Sequence, residues 1–169
     1  YLDKILYQNL ADNIKSKADL NLLKLFGTEL DVYNLTNIVR AKFWNMDSQM
    51  IKELLVSHTA STSDDLLSKM IDAENIKMSF MELSKTKFVD IIPTEGNDIF
   101  MINEFETKLN IFLYNSLLKE FANMFKLSTT VAVVRLYDYE IQNLASISYA
   151  VENNISTETT MTKIIAPVQ

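Results

Sequence analysis

Two carboxylate–asparagine pairs are the residues of this chain whose types and spacing could do chemistry. Both belong to the pattern acidic-x-x-Asn-Leu-x-x-Ile, which occurs twice: Asp31, Asn34, Leu35 and Ile38, then Glu140, Asn143, Leu144 and Ile147. The separation is the same at all four positions, and we call the shift that takes Asp31 to Glu140 the repeat offset. A carboxylate and an asparagine three residues apart lie on one face of a helix. Because a repeated helical unit is typical of duplicated architectures, the pairs indicate structural markers of a scaffold more than acid chemistry.

Nucleophilic and phosphate-binding chemistry find little support in the sequence. His58 is the only histidine, it lies in a segment rich in serine and threonine, and the chain has no cysteine to pair with it. Two glycines are too few for a glycine-rich phosphate loop. We therefore expect His58 to lie in a solvated connector, and we expect no cofactor and no small-molecule substrate.

An acidic cluster is the remaining candidate for metal chemistry. Asp64 and Asp65, with Asp72 and Glu74 nearby, suggest the Mg²⁺ site of all-helical isoprenoid enzymes, whose motif is D-D-x-x-D. Ser68 stands where that motif needs its third acid. The alternative is that the pair lies in the first turn of a helix and complements the helix dipole. We favour this alternative and expect no metal site.

The composition favours an all-α fold without a substantial sheet. Hydrophobic residues make up 48% of the 169 residues, the mean hydropathy is +0.02, and there are only two glycines and two prolines. Turn-dense β folds need more of both. The net charge of −6 disfavours binding to nucleic acid or to anionic lipid. No apolar run reaches the roughly 18–20 residues that span a bilayer, so we expect no direct membrane insertion.

Helical periodicity and one clear break divide the chain. Pro93–Asn97 combines a proline with a glycine, and it separates a predicted first unit, 1–95, from a second unit, 96–169. The longest predicted helix runs from Ile102 to Met124. Gly27 is expected to end a short helix in a left-handed turn. The β-branched stretch Thr129–Val134 is read as a short helix or an extended connector.

The repeat extends beyond the acidic-x-x-Asn motif. At the same offset, Asn45, Met46 and Asp47 match Asn154, Ile155 and Ser156, which predicts a turn asparagine, an apolar residue and a helix N-cap in both copies.

Two basic residues distinguish the copies. Arg40 and Lys42 in the first copy correspond to Tyr149 and Val151 in the second. Cations at a helix C-terminus complement its dipole. The other interpretation is a basic contact for a partner subunit.

These residues resemble a known family. Asp31-x-x-Asn34-Leu35-x-x-Ile38-Val39-Arg40-x-Lys42 is similar to the repeated helix of the C subunit of the V-type ATP synthase/ATPase, which is called the d subunit in eukaryotic enzymes. Three further segments also look like this family: the amphipathic helix Leu2–Ile14 before the motif, then Thr86-Lys87-Phe88, then the helix from Glu104 to Phe125. The sequence departs from the family pattern at Asn45 and at Asn153–Asn154, where glycine is usual, and the second copy lacks the Arg and Lys. The resemblance covers about two of three related units, so it implies a longer full subunit.

The resemblance implies a non-catalytic, funnel-shaped, all-α spacer. In the family this subunit sits on the membrane rotor ring, at the cytoplasmic face, receives the central stalk and transmits torque. It has no catalytic site, cofactor or metal of its own. The main alternative is a generic helical-repeat scaffold for protein–protein interaction, whose duplication creates a concave binding surface. An all-α enzyme is the third class, and no assembled site supports it.

Overall fold

The computed structural model describes residues 2–16, 20–123 and 126–166, and at residues 2, 3, 15 and 16 only the backbone. Eight α-helices lie in these ranges: α1 Leu2–Ser16, α2 Leu20–Phe43, α3 Ser48–Leu54, α4 Asp64–Asp72, α5 Ile76–Met81, α6 Asp98–Phe121, α7 Leu127–Glu152 and α8 Thr157–Met161. Two 3₁₀ turns, Glu82–Lys85 and Val89–Ile91, follow α5. No strand occurs within the described ranges, which confirms the predicted all-α class.

The chain forms two compact units, Tyr1–Leu109 and Asn110–Gln169. Their boundary falls inside α6, and the repeat offset takes the first position of one unit to the first position of the other. The sequence division into 1–95 and 96–169 concerns repeat units and stays a prediction. The connector Pro93–Asn97 is indeed non-helical, and it ends where the Asn97 side chain accepts a 2.9 Å hydrogen bond from Phe100 N in the first turn of α6.

In the first unit α2 is the central helix, and α1, α3, α4 and α5 pack against it. Apolar residues at helical spacing give α2 a wide buried surface, and Leu30, Leu35 and Ile38 are fully buried. The Phe80 and Phe105 rings meet in a tilted contact with centroids 4.6 Å apart, which joins α5 to the first part of α6.

Gly27 does not end a helix, so that expectation was wrong. It lies inside the continuous helix α2. A glycine occurs there because a neighbouring loop comes very close to the helix. Ala60 N donates a 3.1 Å hydrogen bond to Gly27 O, and a Cβ built on Gly27 would lie 2.9 Å from that nitrogen. The glycine provides room for this close approach instead of a left-handed turn.

The second unit consists of the last part of α6, α7 and α8. The stretch Thr129–Val134 is the start of α7, not a separate short helix or connector. Tyr114 and Tyr139 meet edge to face with centroids 5.5 Å apart, and Tyr139 Oη donates a 3.2 Å hydrogen bond to Asn110 Oδ1. Since α7 continues through Thr129–Val134, the β propensity of this segment does not determine its structure. The helix predicted to reach Met124 ends at Phe121, and Met124 lies outside the described residues.

Candidate functional site

Asn34 of the first motif binds the backbone of another segment. Its Nδ2 donates a 2.8 Å hydrogen bond to Val56 O, and Val56 N donates a 2.9 Å hydrogen bond to its Oδ1. Asn34 is fully buried and Val56 nearly so. A primary amide offers a donor and an acceptor side by side, so it pairs with a peptide group as a neighbouring strand would. We call this two-bond arrangement the asparagine clamp.

The second motif makes the same clamp. Asn143 Nδ2 donates to Ile165 O at 2.7 Å, and Ile165 N donates to Asn143 Oδ1 at 2.9 Å. The repeat offset also takes Val56 to Ile165. The duplication predicted from the sequence therefore extends to equivalent hydrogen bonds in three dimensions.

The turn that ends α2 also recurs at the end of α7. Asn45 and Asn154 have φ angles of 54° and 53°, and both lie in the left-handed region. Met46 N donates to Ala41 O at 3.0 Å, and Ile155 N donates to Ala150 O at 2.9 Å, the 6→1 bond of a Schellman motif. Asparagine adopts this conformation more readily than most residues other than glycine, which explains its presence at both turns.

The helix after this turn begins with the predicted cap in both copies. The Asp47 carboxylate accepts a hydrogen bond from Gln49 N at 2.8 Å, and the Ser156 hydroxyl accepts one from Thr159 N at 3.2 Å. Each cap satisfies a backbone N–H group that the first helical turn leaves free.

The carboxylates of the two motifs have different surroundings. Asp31 is fully buried, and its Oδ1 accepts hydrogen bonds from Ser61 N, Thr62 N and Thr62 Oγ1 at 3.1, 2.9 and 2.8 Å. Its Oδ2 lies 3.4 Å from Lys87 Nζ, which forms an ion pair without hydrogen-bond geometry. Glu140 is exposed. Asp31 thus fixes the loop between α3 and α4. Because its carboxylate is buried, we assign it a structural role and not that of a reactive acid.

Arg40 and Lys42 both have partners within the first unit. The Arg40 guanidinium binds the Glu106 carboxylate through two nitrogens, with Nη2 2.7 Å from Oε2, and this raises the pKa of Arg40. Lys42 Nζ donates to Ile71 O at 2.8 Å and to Ala73 O at 2.6 Å, at the C-terminal end of α4. These contacts account for both residues structurally, and the contact with a partner subunit stays a prediction.

The other residues considered from the sequence do not come together. His58 Nε2 lies 3.1 Å from Asp12 Oδ1. Asp65 pairs with Lys69 of the next turn at 2.6 Å, and Asp72 lies at the far end of α4, 3.8 Å from Lys52 Nζ. In the part of the chain that the structure describes, no group of three or more His, Asp or Glu residues could hold a metal ion.

Sequence reasoning found the asparagines but missed what they bind. The clamp contacts only the backbone of Val56 and Ile165, so neither side chain carries a signal by itself. The repeat offset was the available signal, because it relates Asn34 to Asn143 and also Val56 to Ile165. The contacts of Thr62 and Lys87 with Asp31 were missed for another reason: the repeat register has no second copy of Thr62 and Lys87 within the sequence.

Comparison with known proteins identifies the family of the chain. The sequence model of the family described as "ATP synthase (C/AC39) subunit" matches residues 1–163. The C subunit of the A-type ATP synthase of Pyrococcus horikoshii is 27% identical over 164 residues, which is 93% of this chain and 44% of the relative. The protein of the same name from Pyrococcus furiosus is 25% identical over 154 residues, 89% of this chain and 41% of the relative. The chain thus spans less than half the length of these curated relatives.

No solved structure matches the chain significantly. Among the described residues, no helix has both the length and the apolar character needed to cross a bilayer. The family match extends from α1 to the end of α8, and it includes both clamp asparagines, Asn34 and Asn143. On this evidence the chain belongs to the ATP synthase (C/AC39) subunit family.

Proposed function

We propose that this chain is part of a non-catalytic coupling subunit of a rotary A/V-type ATP synthase or ATPase. The subunit links the central stalk to the membrane rotor ring and lies peripherally at the cytoplasmic face. The observation that carries the proposal is the family match over residues 1–163, together with relatives named as the C subunit of A-type ATP synthases. Because the chain spans less than half of those relatives, the proposal concerns the subunit to which this chain contributes.

The construction of the helical body supports this function. A coupling subunit must resist deformation under load, so its helix ends and connectors need fixed geometry. In the first unit, Asn34 fixes the segment after α3 and the Asp31 carboxylate fixes the turn before α4. Lys42 joins the end of α2 to the end of α4. Buried groups that are hydrogen-bonded and ion-paired in this way rigidify a fold.

A binding experiment tests the coupling function. The protein is produced from its own gene with an affinity tag and mixed at low salt with membranes that carry the rotor ring, and separately with purified central-stalk subunits. We expect retention on ring-containing membranes and on the stalk subunits, but not on vesicles of the same lipids without the ring. A correctly folded protein that binds neither would refute the coupling function and leave the generic helical-repeat scaffold.

A pair of variants tests whether Arg40 contacts a partner. Arg40→Ala and Glu106→Ala remove the same internal ion pair, but only the first removes the half-exposed guanidinium. If Arg40 contacts a partner subunit, Arg40→Ala weakens binding and Glu106→Ala does not. Equal binding by both variants would restrict Arg40 to its internal role.

A further inference from the structure

An exposed aromatic ring lies among carboxylates where the connector Pro93–Asn97 leads into α6. We call this surface the Phe100 patch and define it by four residues: Glu95, Asp98, Ile99 and Phe100. All four are exposed, and the side chains of Ile99 and Phe100 are 57% and 58% exposed. Aromatic residues are enriched where proteins bind one another, so this ring indicates a contact surface.

The Phe100 ring is fixed by the connector. Gly96 has a φ angle of 117°, and a Cβ built on it would lie 2.6 Å from Phe100 Cδ1, so the ring lies directly against the backbone at Gly96. Phe100 N also donates a 2.9 Å hydrogen bond to Asn97 Oδ1, which fixes the backbone below the ring. A side chain that is already held in place loses little conformational entropy when a partner binds it.

The segment around the patch carries the excess negative charge of the first unit. Residues 88–107 contain five acidic residues and no lysine or arginine, whereas the rest of the first unit contains twelve acidic residues and twelve lysines and arginines. Two of the five acids are neutralised, because Glu106 pairs with Arg40 and Glu104 lies 2.7 Å from Lys108 Nζ. The remaining three give this surface a local negative charge.

The two carboxylates of the patch have no cation beside them. Neither Glu95 nor Asp98 forms an ion pair with any residue that the structure describes. Asp98 lies in the first turn of α6, where a carboxylate complements the helix dipole. The dipole explains neither Glu95, which precedes the helix, nor the exposure of Ile99 and Phe100. The same charges repel nucleic acid and anionic lipid, so a basic protein segment is the complementary partner.

We propose that the Phe100 patch binds an arginine-bearing segment of a partner protein. A guanidinium group is planar, pairs with a carboxylate through two nitrogens and stacks on an aromatic ring, so arginine uses both chemical features of the patch at once. The Arg40–Glu106 pair shows the first of these contacts within this chain. An apolar side chain beside the arginine covers Ile99. The proposal goes beyond the coupling function and does not rest on it.

Peptide binding to the protein expressed to the natural end of its reading frame tests this proposal. The peptide is synthetic, capped at both ends and fluorescently labelled, with arginine and leucine on one helical face. Its matched control replaces each arginine by citrulline, which has nearly the same shape and no charge. Binding is measured by fluorescence anisotropy at low and at high salt. We expect only the arginine peptide to bind, and more weakly at high salt because salt screens exposed charges.

A double variant tests the carboxylates. Glu95→Gln combined with Asp98→Asn removes both charges and keeps the shapes of the side chains. The affinity for the arginine peptide should fall roughly 5-fold, as expected for the loss of two exposed ion pairs. The matched control combines Asp64→Asn with Glu74→Gln. Both of these residues are exposed, and Asp64 lies in the first turn of α4 as Asp98 does in α6, so this control should leave the affinity unchanged.

A second pair of variants tests the ring. Phe100→Ala should lower the affinity roughly 3-fold, the effect of one exposed cation–π contact. The control is Phe121→Ala, which removes a ring that is also about half exposed but lies at the other end of α6. The circular dichroism of all variants should match that of the natural protein, since every substituted side chain is exposed.

Three outcomes would overturn the inference. The citrulline peptide could bind as tightly as the arginine peptide, or the patch variants could weaken binding no more than their controls do. The arginine peptide could also fail to bind the natural protein, which would be the result if another part of the polypeptide covers the patch. Retention on ring-containing membranes and on stalk subunits is a separate measurement, so this proposal and the coupling function fail independently.

Discussion

Replacing Asn34 by alanine should destabilise the first unit strongly. The substitution removes both hydrogen bonds of the clamp and leaves the N–H and C=O groups of Val56 without partners. Asn34 is 0% and Val56 3% exposed, so water cannot readily replace the amide. A buried polar group left unsatisfied costs roughly 1–3 kcal/mol, and two such groups with partial relaxation give a loss of about 3 kcal/mol in the free energy of unfolding.

The second clamp provides an internal comparison. Asn143 makes the same two bonds to Ile165, but Asn143 is 9% exposed and both bonds are only partly buried. Water can reach the released groups, so Asn143→Ala should cost about 1 kcal/mol, close to the net value of ordinary hydrogen bonds. The two substitutions are chemically identical, and only burial distinguishes them.

Urea unfolding and hydrogen exchange measure these effects. With a slope of about 2 kcal/mol per molar urea, a loss of about 3 kcal/mol lowers the midpoint by roughly 1.5 M. Hydrogen exchange assigns the loss to one unit, and amides near Val56 should exchange about 100-fold faster in Asn34→Ala. The control is Asn37→Ala on the same helix, which removes only a local 3.0 Å hydrogen bond to Tyr33 O.

Two results would refute this reasoning. If Asn34→Ala and Asn37→Ala have the same unfolding free energy within error, the clamp does not hold the segment after α3. If Asn143→Ala costs as much as Asn34→Ala, burial does not determine the strength of the clamp.

Three further predictions concern packing and ionisation. Ser79→Ala should raise the unfolding free energy by about 1 kcal/mol, since the buried Ser79 hydroxyl has no hydrogen-bond partner among the described residues; a lower urea midpoint would contradict this. Gly27→Ala should lower thermal stability despite the higher helix propensity of alanine, because the new Cβ would lie 2.9 Å from Ala60 N. An unchanged or higher melting temperature would contradict this, because it would show that the loop at Ala60 moves away at little energetic cost. Burial first, and the Glu140 charge second, raise the pKa of Tyr114. The contribution of this tyrosine to stability is therefore present below about pH 10 and is lost as pH rises through the higher pKa of the folded state. Tyr114→Phe should reduce this alkaline loss in urea unfolding, and Glu140→Gln should lower the Tyr114 pKa in an ultraviolet titration.

The sequence predicted the elements whose signals are local. Low glycine and proline content indicated an all-α fold, and the caps at Asp47 and Ser156 were recognisable because a cap needs only one short polar side chain before a helix. The matched turns at Asn45 and Asn154 could be found because a left-handed residue restricts the side chains that fit there.

Tertiary contacts determine the features that the sequence alone did not reveal. Gly27 carries the signal of a helix end, and only the proximity of Ala60 explains a glycine inside α2. The internal bonds of Arg40 to Glu106 and of Lys42 to two carbonyl groups connect residues far apart in sequence. A single sequence gives no direct signal for contacts between residues so far apart.

The asparagine clamp has a consequence for evolutionary divergence. Because the amide recognises a peptide group and no side chain, valine at position 56 and isoleucine at 165 serve equally well as its target. A mutation at the target to any residue but proline keeps the N–H and C=O groups that the amide binds, whereas a mutation of the asparagine to alanine removes both bonds at once. A chain joined in this way can exchange most of its residues and keep its helices in place, as expected for a family whose members here share only 27% and 25% of their residues.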